Sequence, residues 1–502
     1  MSMHTLLQYK WSMMTPEFIV LITALILSLA DLWMPNDKNR RPLAWIAVVG
    51  VVIALIATAG LIPAKPVSIL YDTFRLDSFS KAFKLLVLAG GALCLLLALD
   101  YRPKEGLSHR GEFYYLLLCA LLGAMIMASS GDLITLFVGL ELLSVSSYIL
   151  AGIRKTSAQS NESALKYVIS GGIATAITLF GMSYIFGLTG TTNLKEMAFE
   201  VQKLADSNYQ YLLALAFLLL LVGLSFKISS VPFHMWAPDV YQGAPTPVTA
   251  FLSVVSKTAG FVILLRLFIT IFAAAPAHGK DPSSLLLSMQ NYIAVLAGLT
   301  MIIGNTVALR QRSMKRLFAY SGIAHAGYLL VGFAAMSWVM IDSIWFYLLA
   351  YVLMNVGAFA IIQRLSDEAD SDDMIHFAGL YQRNPLLAVS MGIFLLSLAG
   401  IPGTAGFIGK LNIFLGALMT EPGHYMLAAV MIATTVVSYV YYFGVFVQIF
   451  FRPADEAASI KLPVGLTVTV VLCAFGTLLF GIFPSLAYQV LAQFEHFGDF
   501  LQ

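Results

Sequence analysis

Apolar stretches of about 20 residues follow one another along this chain, and that is the length an α-helix needs to cross a bilayer. In hydrocarbon every backbone N–H and C=O must be satisfied within the segment, so such stretches fold as helices. About fourteen are predicted, over 17–34, 43–62, 79–100, 112–129, 132–152, 165–188, 209–229, 244–274, 290–309, 317–337, 341–363, 385–415, 424–450 and 463–487. The expected fold class is an all-α polytopic membrane protein. Composition agrees: 59% of the 502 residues are hydrophobic and only 11% are charged, far from soluble norms. A net charge of +2 gives no basis for nucleic-acid binding. Cys94, Cys119 and Cys473 lie in apolar runs without metal-like spacing and read as small core residues. The N-terminus is polar to Met14 and lacks a cleavage pattern, so it is expected to be retained. Thr15-Pro16-Glu17 predicts the first helix start, with Thr15 as N-cap.

Four ionisable residues interrupt these stretches. Glu141 lies in LFVGLELLSVSSYIL, Lys227 in LLLVGLSFKISSVPFHMW, Lys257 in FLSVVSKTAGFVILL and Lys410 in GIPGTAGFIGKLNIFLG. A charge deep in a bilayer costs at least a few kcal/mol and is seldom accidental. Structural ion pairs are the bland alternative, but each charge then needs a partner, and here three bases face one acid. A path for protons or ions is the better reading. Burial disfavours the charged form of a lysine and a nearby carboxylate favours it, so a lysine held between the two switches state readily. Several neighbours carry weaker expectations. Ser144, Ser147 and Tyr148 would bond Glu141 or hold water, or simply pack helices. His234 and Asp239 are expected in a short solvated loop after Lys227. Arg266, about 13 Å along the helix from Lys257, is expected to snorkel or pair structurally. Lys166 reads as an interfacial anchor, and Tyr320 and Ser321 as possible axis residues.

Breakers sit beside two of the lysines. Pro232 follows Lys227, and Pro402, Gly403, Gly406 and Gly409 precede Lys410. Interrupted membrane helices in corresponding places of two halves mark ion-coupled transporters. Two discontinuous helices and two inverted five-helix repeats are therefore expected. The divisions are 1–110 for helices 1–3, 111–275 for the first repeat, 288–451 for the second, and 452–502 for the last helix. Loop charge sets the orientation. With the N-terminus and C-terminus outside, inner segments hold 17 Lys and Arg residues, among them Lys38, Arg102 and Lys104, and outer segments hold 8, among them Lys81, Lys84 and Lys280. The acidic stretch 365–376 is expected to be a solvated inner loop.

Four segments carry a specific resemblance. The stretch 221–266, containing FKISSVPFHMWAPDVYQGAPTPVTAFLSVVSKTAG, resembles the signature region of the proton-pumping, antiporter-like subunits of respiratory complex I. GDLITLFVGLELLSVSSYILAG, MKRLFAYSGIAHAGYLLVG and SLAGIPGTAGFIGKLNIF are similar to other motifs of that family, in the family's order over roughly residues 110 to 450. The wording of 232–253 is closest to the N-type branch. L-type members carry a long C-terminal extension with a lateral helix, and M-type members usually have glutamate where this chain has Lys410. One departure is Gly403, where the family commonly has a second proline after Pro402.

The resemblance implies roles. Glu141 would be the fifth-helix glutamate, Lys227 the lysine that takes and releases the pumped proton, and Lys257 the bridge between half-channels. His325 would lie in the central hydrophilic axis, and Lys410 would stand nearest the outer exit. It implies no cofactor in this chain, with NADH, FMN, iron–sulfur clusters and quinone in partner subunits. In line with that, the sequence has no Gly-rich nucleotide loop and no cysteine framework. The implied partners are M-type and small K-, J- and A-type membrane subunits, the lateral helix of an L-type subunit, lipid and protons, in a bacterial cytoplasmic membrane. The alternatives are a subunit of an Mrp-type Na⁺/H⁺ antiporter, or of a related membrane-bound hydrogenase or photosynthetic complex.

Overall fold

The computed structural model describes residues 9–35, 39–101, 110–204, 209–277, 283–454, 460–494 and 497–500. Lys38, Arg102, Lys104 and Lys280, used for the orientation, lie outside them. Among the described residues, 13 helices are long and apolar enough to cross a membrane. The longer helices, numbered here in chain order, begin with α1 (Thr15–Trp33), α2 (Arg41–Gly60), α3 (Ser78–Leu99), α4 (Arg110–Ser129), α5 (Leu133–Ala151) and α6 (Ala158–Thr189). Next come α7 (Leu194–Gln202), α8 (Gln210–Ile228), α9 (Trp236–Gly243), α10 (Thr246–Phe272), α11 (Gln290–Ala308) and α12 (Met314–Ala335). The last are α13 (Met340–Ala369), α14 (Pro385–Ala399), α15 (Ala405–Leu418), α16 (Tyr425–Phe451), α17 (Val464–Ile482) and α18 (Ser485–Ala492).

Local chemistry sets many helix starts. Asp77 accepts from the Ser80 amide and Ser80 returns the bond, a capping box that opens α3. Asp132 caps α5, Ser157 caps α6, Ser313 caps α12 and Asn384, ahead of Pro385, caps α14. At α1 the N-cap is Met14, one residue earlier than expected, and the Thr15 hydroxyl instead donates to the Ser12 carbonyl at 2.7 Å.

Helices end beside both groups of breakers. Helix α8 ends at Ile228, with Ser229 in the left-handed region, and a seven-residue segment, 229–235, precedes α9. Helices α14 and α15 stand where a single span over 385–415 was predicted. Residues 400–404 separate them, and counting the pair as one interrupted crossing gives fourteen. Gly400 and Gly403 have φ of +83° and +88° in that break. A proline ring fixes φ near −65°, so the glycine at 403 permits a turn that proline forbids.

The centre of the fold is α10, whose residues are buried almost without exception. It holds two π-helical stretches, Leu252–Ser256 and Phe268–Phe272, which the periodicity did not reveal. The first immediately precedes Lys257. Wide turns of this kind free backbone groups and often accompany functional positions. Helices α12 and α13 flank α10 and are also largely buried, whereas α1, α6 and α16 expose broad apolar faces, as lipid-facing helices do. A two-stranded antiparallel hairpin, Val67–Ile69 with Phe74–Leu76, and the short α7 were not anticipated.

Candidate functional site

Lys227, Lys257, His325 and Lys410 project from four different helices into the interior, with 5%, 1%, 1% and 6% of their surfaces exposed. Among the described residues none of the three lysines has a carboxylate within ion-pair distance. Buried ion pairs do occur, but at other residues. Lys84 of α3 meets Glu17 of α1 at 2.5 Å, with the Phe74 ring 4.7 Å away. Arg266 makes two 3.0 Å bonds to Asp77 and one of 2.7 Å to the Ala128 carbonyl, and lies over the rings of Phe79 and Phe500. Arg266 is thus structurally paired and does not snorkel. Lys84, assigned to an outer segment by the charge count, is fully buried.

Each lysine is held by neutral groups. Lys227 Nζ donates to Ser144 Oγ at 3.1 Å, and its stem lies against Gly260, where an added Cβ would come within 3.3 Å of Cγ. Lys257 Nζ donates to the Gly322 carbonyl at 2.5 Å and to the Tyr351 hydroxyl at 3.5 Å. Gly322 is required by this approach, because a Cβ there would lie 3.0 Å from Nζ and 2.8 Å from the Tyr351 oxygen. Lys410 Nζ caps α14 by donating to the carbonyls of Leu398 at 2.9 Å and Ala399 at 3.1 Å, and sits 4.8 Å over the Tyr328 ring. Lys410 also lines a mostly apolar cleft of about 220 Å³ between α15 and α16.

Glu141 departs from the expectation that all five face the interior. It is only half-buried. It shares its helix face with Ile134, Val138, Val145 and Ile149, all exposed, at the i, i+4, i+7 spacing of one stripe. Its carboxylate accepts from Thr175 Oγ1 of α6 at 2.9 Å. Ser144, one turn along α5, bonds Lys227 and not Glu141, and the Ser147 hydroxyl returns to the Leu143 carbonyl.

Sequence reading missed the tyrosines. His325 Nδ1 meets the Tyr347 hydroxyl at 2.6 Å and Nε2 meets the Tyr442 hydroxyl at 3.1 Å. Tyr442 in turn meets Ser321 Oγ at 2.5 Å. A side branch runs from Tyr328 to Asn305 and on to Tyr441. Tyr320, by contrast, is only partly buried at the edge of the core. The available signal was Tyr347 and Tyr351 four apart in the apolar run 344–354, since a phenol in such a place must find a partner. Their convergence on His325 is tertiary.

At one end of the interrupted α8–α9 pair, four cations hold α9. Asp239 lies on this helix, not in a loop, and bonds Lys166 at 2.5 Å and Arg316 at 2.6 Å. Arg154 and Lys315 donate to the carbonyls of Gly243 and Ala244, where the helix dipole favours positive charge. Lys166 lies inside α6, which begins seven residues earlier than predicted. His234 lies in the segment between α8 and α9. The acidic stretch 365–376 begins in the last turns of α13, its residues from 366 on are partly or fully exposed, and the Met314 amide of α12 donates to its Asp372 carbonyl at 2.7 Å.

The chain resembles known membrane proteins over nearly its full length. Residues 130–438 match the family described as NADH:quinone oxidoreductase/Mrp antiporter, TM. NADH-quinone oxidoreductase subunit N of Geobacillus sp. (strain WCH70) is 86% identical over 98% of this chain and all of its own. A chain of respiratory complex I from Thermus thermophilus superposes with a TM-score of 0.78 at 33% identity, covering 94% of this chain and 98% of that one. A chain of the Mrp complex from Dietzia sp. DQ12-45-1b gives 0.81 over 98% of each chain at 20% identity, a likeness of fold. On these matches the chain belongs to the NADH-quinone oxidoreductase subunit N family, a branch of the antiporter-like membrane proteins of complex I.

Proposed function

We propose that the chain is the proton-translocating membrane-arm subunit of a bacterial NADH-quinone oxidoreductase. Electron transfer from NADH to quinone, through FMN and iron–sulfur clusters, takes place in partner subunits and is coupled here to proton movement along Glu141, Lys227, Lys257, His325 and Lys410. The observation that carries this reading is three buried lysines, each on a different helix and each held by neutral groups alone. Lys84, by contrast, is paired with the Glu17 carboxylate, which holds its charge in place. A lysine that must give up its proton needs no such partner. Ser144 ties Lys227 to the helix of Glu141, so a shift of α5 would change the field at that amine. The exposed apolar stripe around Glu141 suits a small K-, J- or A-type neighbour, and the cleft beside Lys410 lies on another face, where an M-type neighbour fits. Residues 111–275 and 288–451 serve as the two inverted repeats, with both termini outside.

The test is proton uptake and NADH oxidation in membrane vesicles holding equal amounts of each variant complex. Lys227→Ala and Glu141→Ala should lower both by at least about tenfold, as loss of a proton-transfer group does, while the complex still assembles. Lys227→Arg should also do harm, because guanidinium does not release its proton. Lys166→Ala should be milder. Normal pumping by both Lys227 variants would leave that residue a structural role only. A Na⁺ requirement for transport would favour the Mrp-type alternative, with which the fold is shared.

A further inference from the structure

The path between Lys257 and Lys410 is not made of lysine and histidine alone. Neither nitrogen of His325 bonds a lysine: both are taken by phenols, Tyr347 on α13 and Tyr442 on α16. Tyr442 is shared with Ser321 of α12, and Ser321 directly precedes Gly322, whose carbonyl holds Lys257 Nζ. At the other end the Tyr347 ring lies against Gly409, where a Cβ would come within 2.8 Å of it, and Gly409 directly precedes Lys410. Ser321, Tyr442, His325 and Tyr347 are all at most 2% exposed. They form an unbroken run of hydrogen-bonding groups, each able to donate and to accept.

We propose that Ser321, Tyr442, His325 and Tyr347 are a proton wire joining Lys257 to Lys410, with Tyr442 the link that sets its direction. The proposal rests on the translocation reading above. With His325 carrying its proton on Nδ1, the Lys257 ammonium releases a proton to Ser321 through a water. Ser321 O–H passes its proton to the Tyr442 oxygen, and Tyr442 O–H passes its own to Nε2. Nδ1–H then gives its proton to the Tyr347 oxygen, and Tyr347 O–H protonates the neutral Lys410 amine through a second water. One proton leaves Lys257 and one reaches Lys410. The four intermediates end neutral, and His325 has exchanged tautomers. Ser321 and Nε2 compete for the same hydroxyl, so rotation of the Tyr442 O–H opens or closes the wire.

The experiment uses vesicles holding the intact complex, with assembly quantified for each variant. Tyr442→Phe and Tyr347→Phe keep the rings and remove one oxygen each. Proton uptake should fall at least about tenfold in both. Tyr488→Phe, on α18 and bonded to Asn412 instead of to any member of the wire, should pump within about twofold of the parent. Remaining transport in Tyr442→Phe should show a larger solvent deuterium isotope effect than the parent, a change that loss of packing alone does not produce. Should Tyr442→Phe fail to assemble, Ser321→Ala interrupts the same link and takes its place. Normal uptake by Tyr442→Phe and Tyr347→Phe alongside a dead Lys257→Ala would overturn the wire and leave translocation standing. Normal uptake by Lys257→Ala as well would overturn both.

Discussion

Lys84 and Lys410 show how the same side chain serves two ends. Both are buried in membrane helices, but Lys84 faces a carboxylate at 2.5 Å and Lys410 only carbonyls and a ring. The first arrangement fixes a charge and the second leaves it free to change. Removing one partner of a buried pair strands the other, at a cost of about 3–5 kcal/mol, whereas replacing both with apolar groups is often neutral. Lys84→Met should therefore lower the thermal unfolding midpoint of the detergent-solubilised protein by several degrees. The double variant Lys84→Met with Glu17→Leu should recover most of that loss. If Lys84→Met alone unfolds at the parent temperature, the pair contributes nothing to stability.

At the scale of elements, the breaks and the π-helical stretches do the positioning. The break after α14 exposes the carbonyls of Leu398 and Ala399, and Lys410 occupies them from the next helix. Gly400 allows this twice over: its φ of +83° suits glycine, and a Cβ there would lie 2.9 Å from the Lys410 side chain. Gly400→Ala should cost roughly 1–2 kcal/mol in stability. It should also cut proton uptake several-fold, since the amine must move; unchanged uptake would show that Lys410 does not depend on this turn. The interruptions were legible because Pro and Gly are read directly from sequence. The π-helical stretch before Lys257 was not, since nothing in LSVVS distinguishes it from an ordinary helical turn.

At the scale of the whole molecule, the proposed orientation rests on loop charge. Arg312, between α11 and α12, and Lys203, at the end of α7, are assigned to opposite sides of the membrane. Single cysteines placed there should react with an impermeant maleimide from opposite faces, Arg312→Cys from the cytoplasm and Lys203→Cys from outside. The native thiols interfere little, since Cys94 and Cys473 are buried and Cys119 is partly so. Labelling of both positions from one face would reverse or break the assigned topology.

Sequence alone determined the membrane class, the approximate number of crossings, the places of the breakers and which ionisable residues stand in apolar runs. Each of these rests on a one-dimensional quantity: the length of an apolar run, the presence of a breaker, or a charge where water is excluded. Tertiary structure decided the partners. Glu141 is only half-buried because helical periodicity places it beside the exposed stripe of α5, and only packing showed that Thr175 of α6 is its partner. Arg266 and Lys84 read as the same sort of intramembrane or flanking charge, and only packing brought Asp77 and Glu17 against them. The tyrosines around His325 come from α13 and α16, up to 117 positions away in the chain. A hydrogen bond depends on a few tenths of an ångström between groups that only the folded helices bring together.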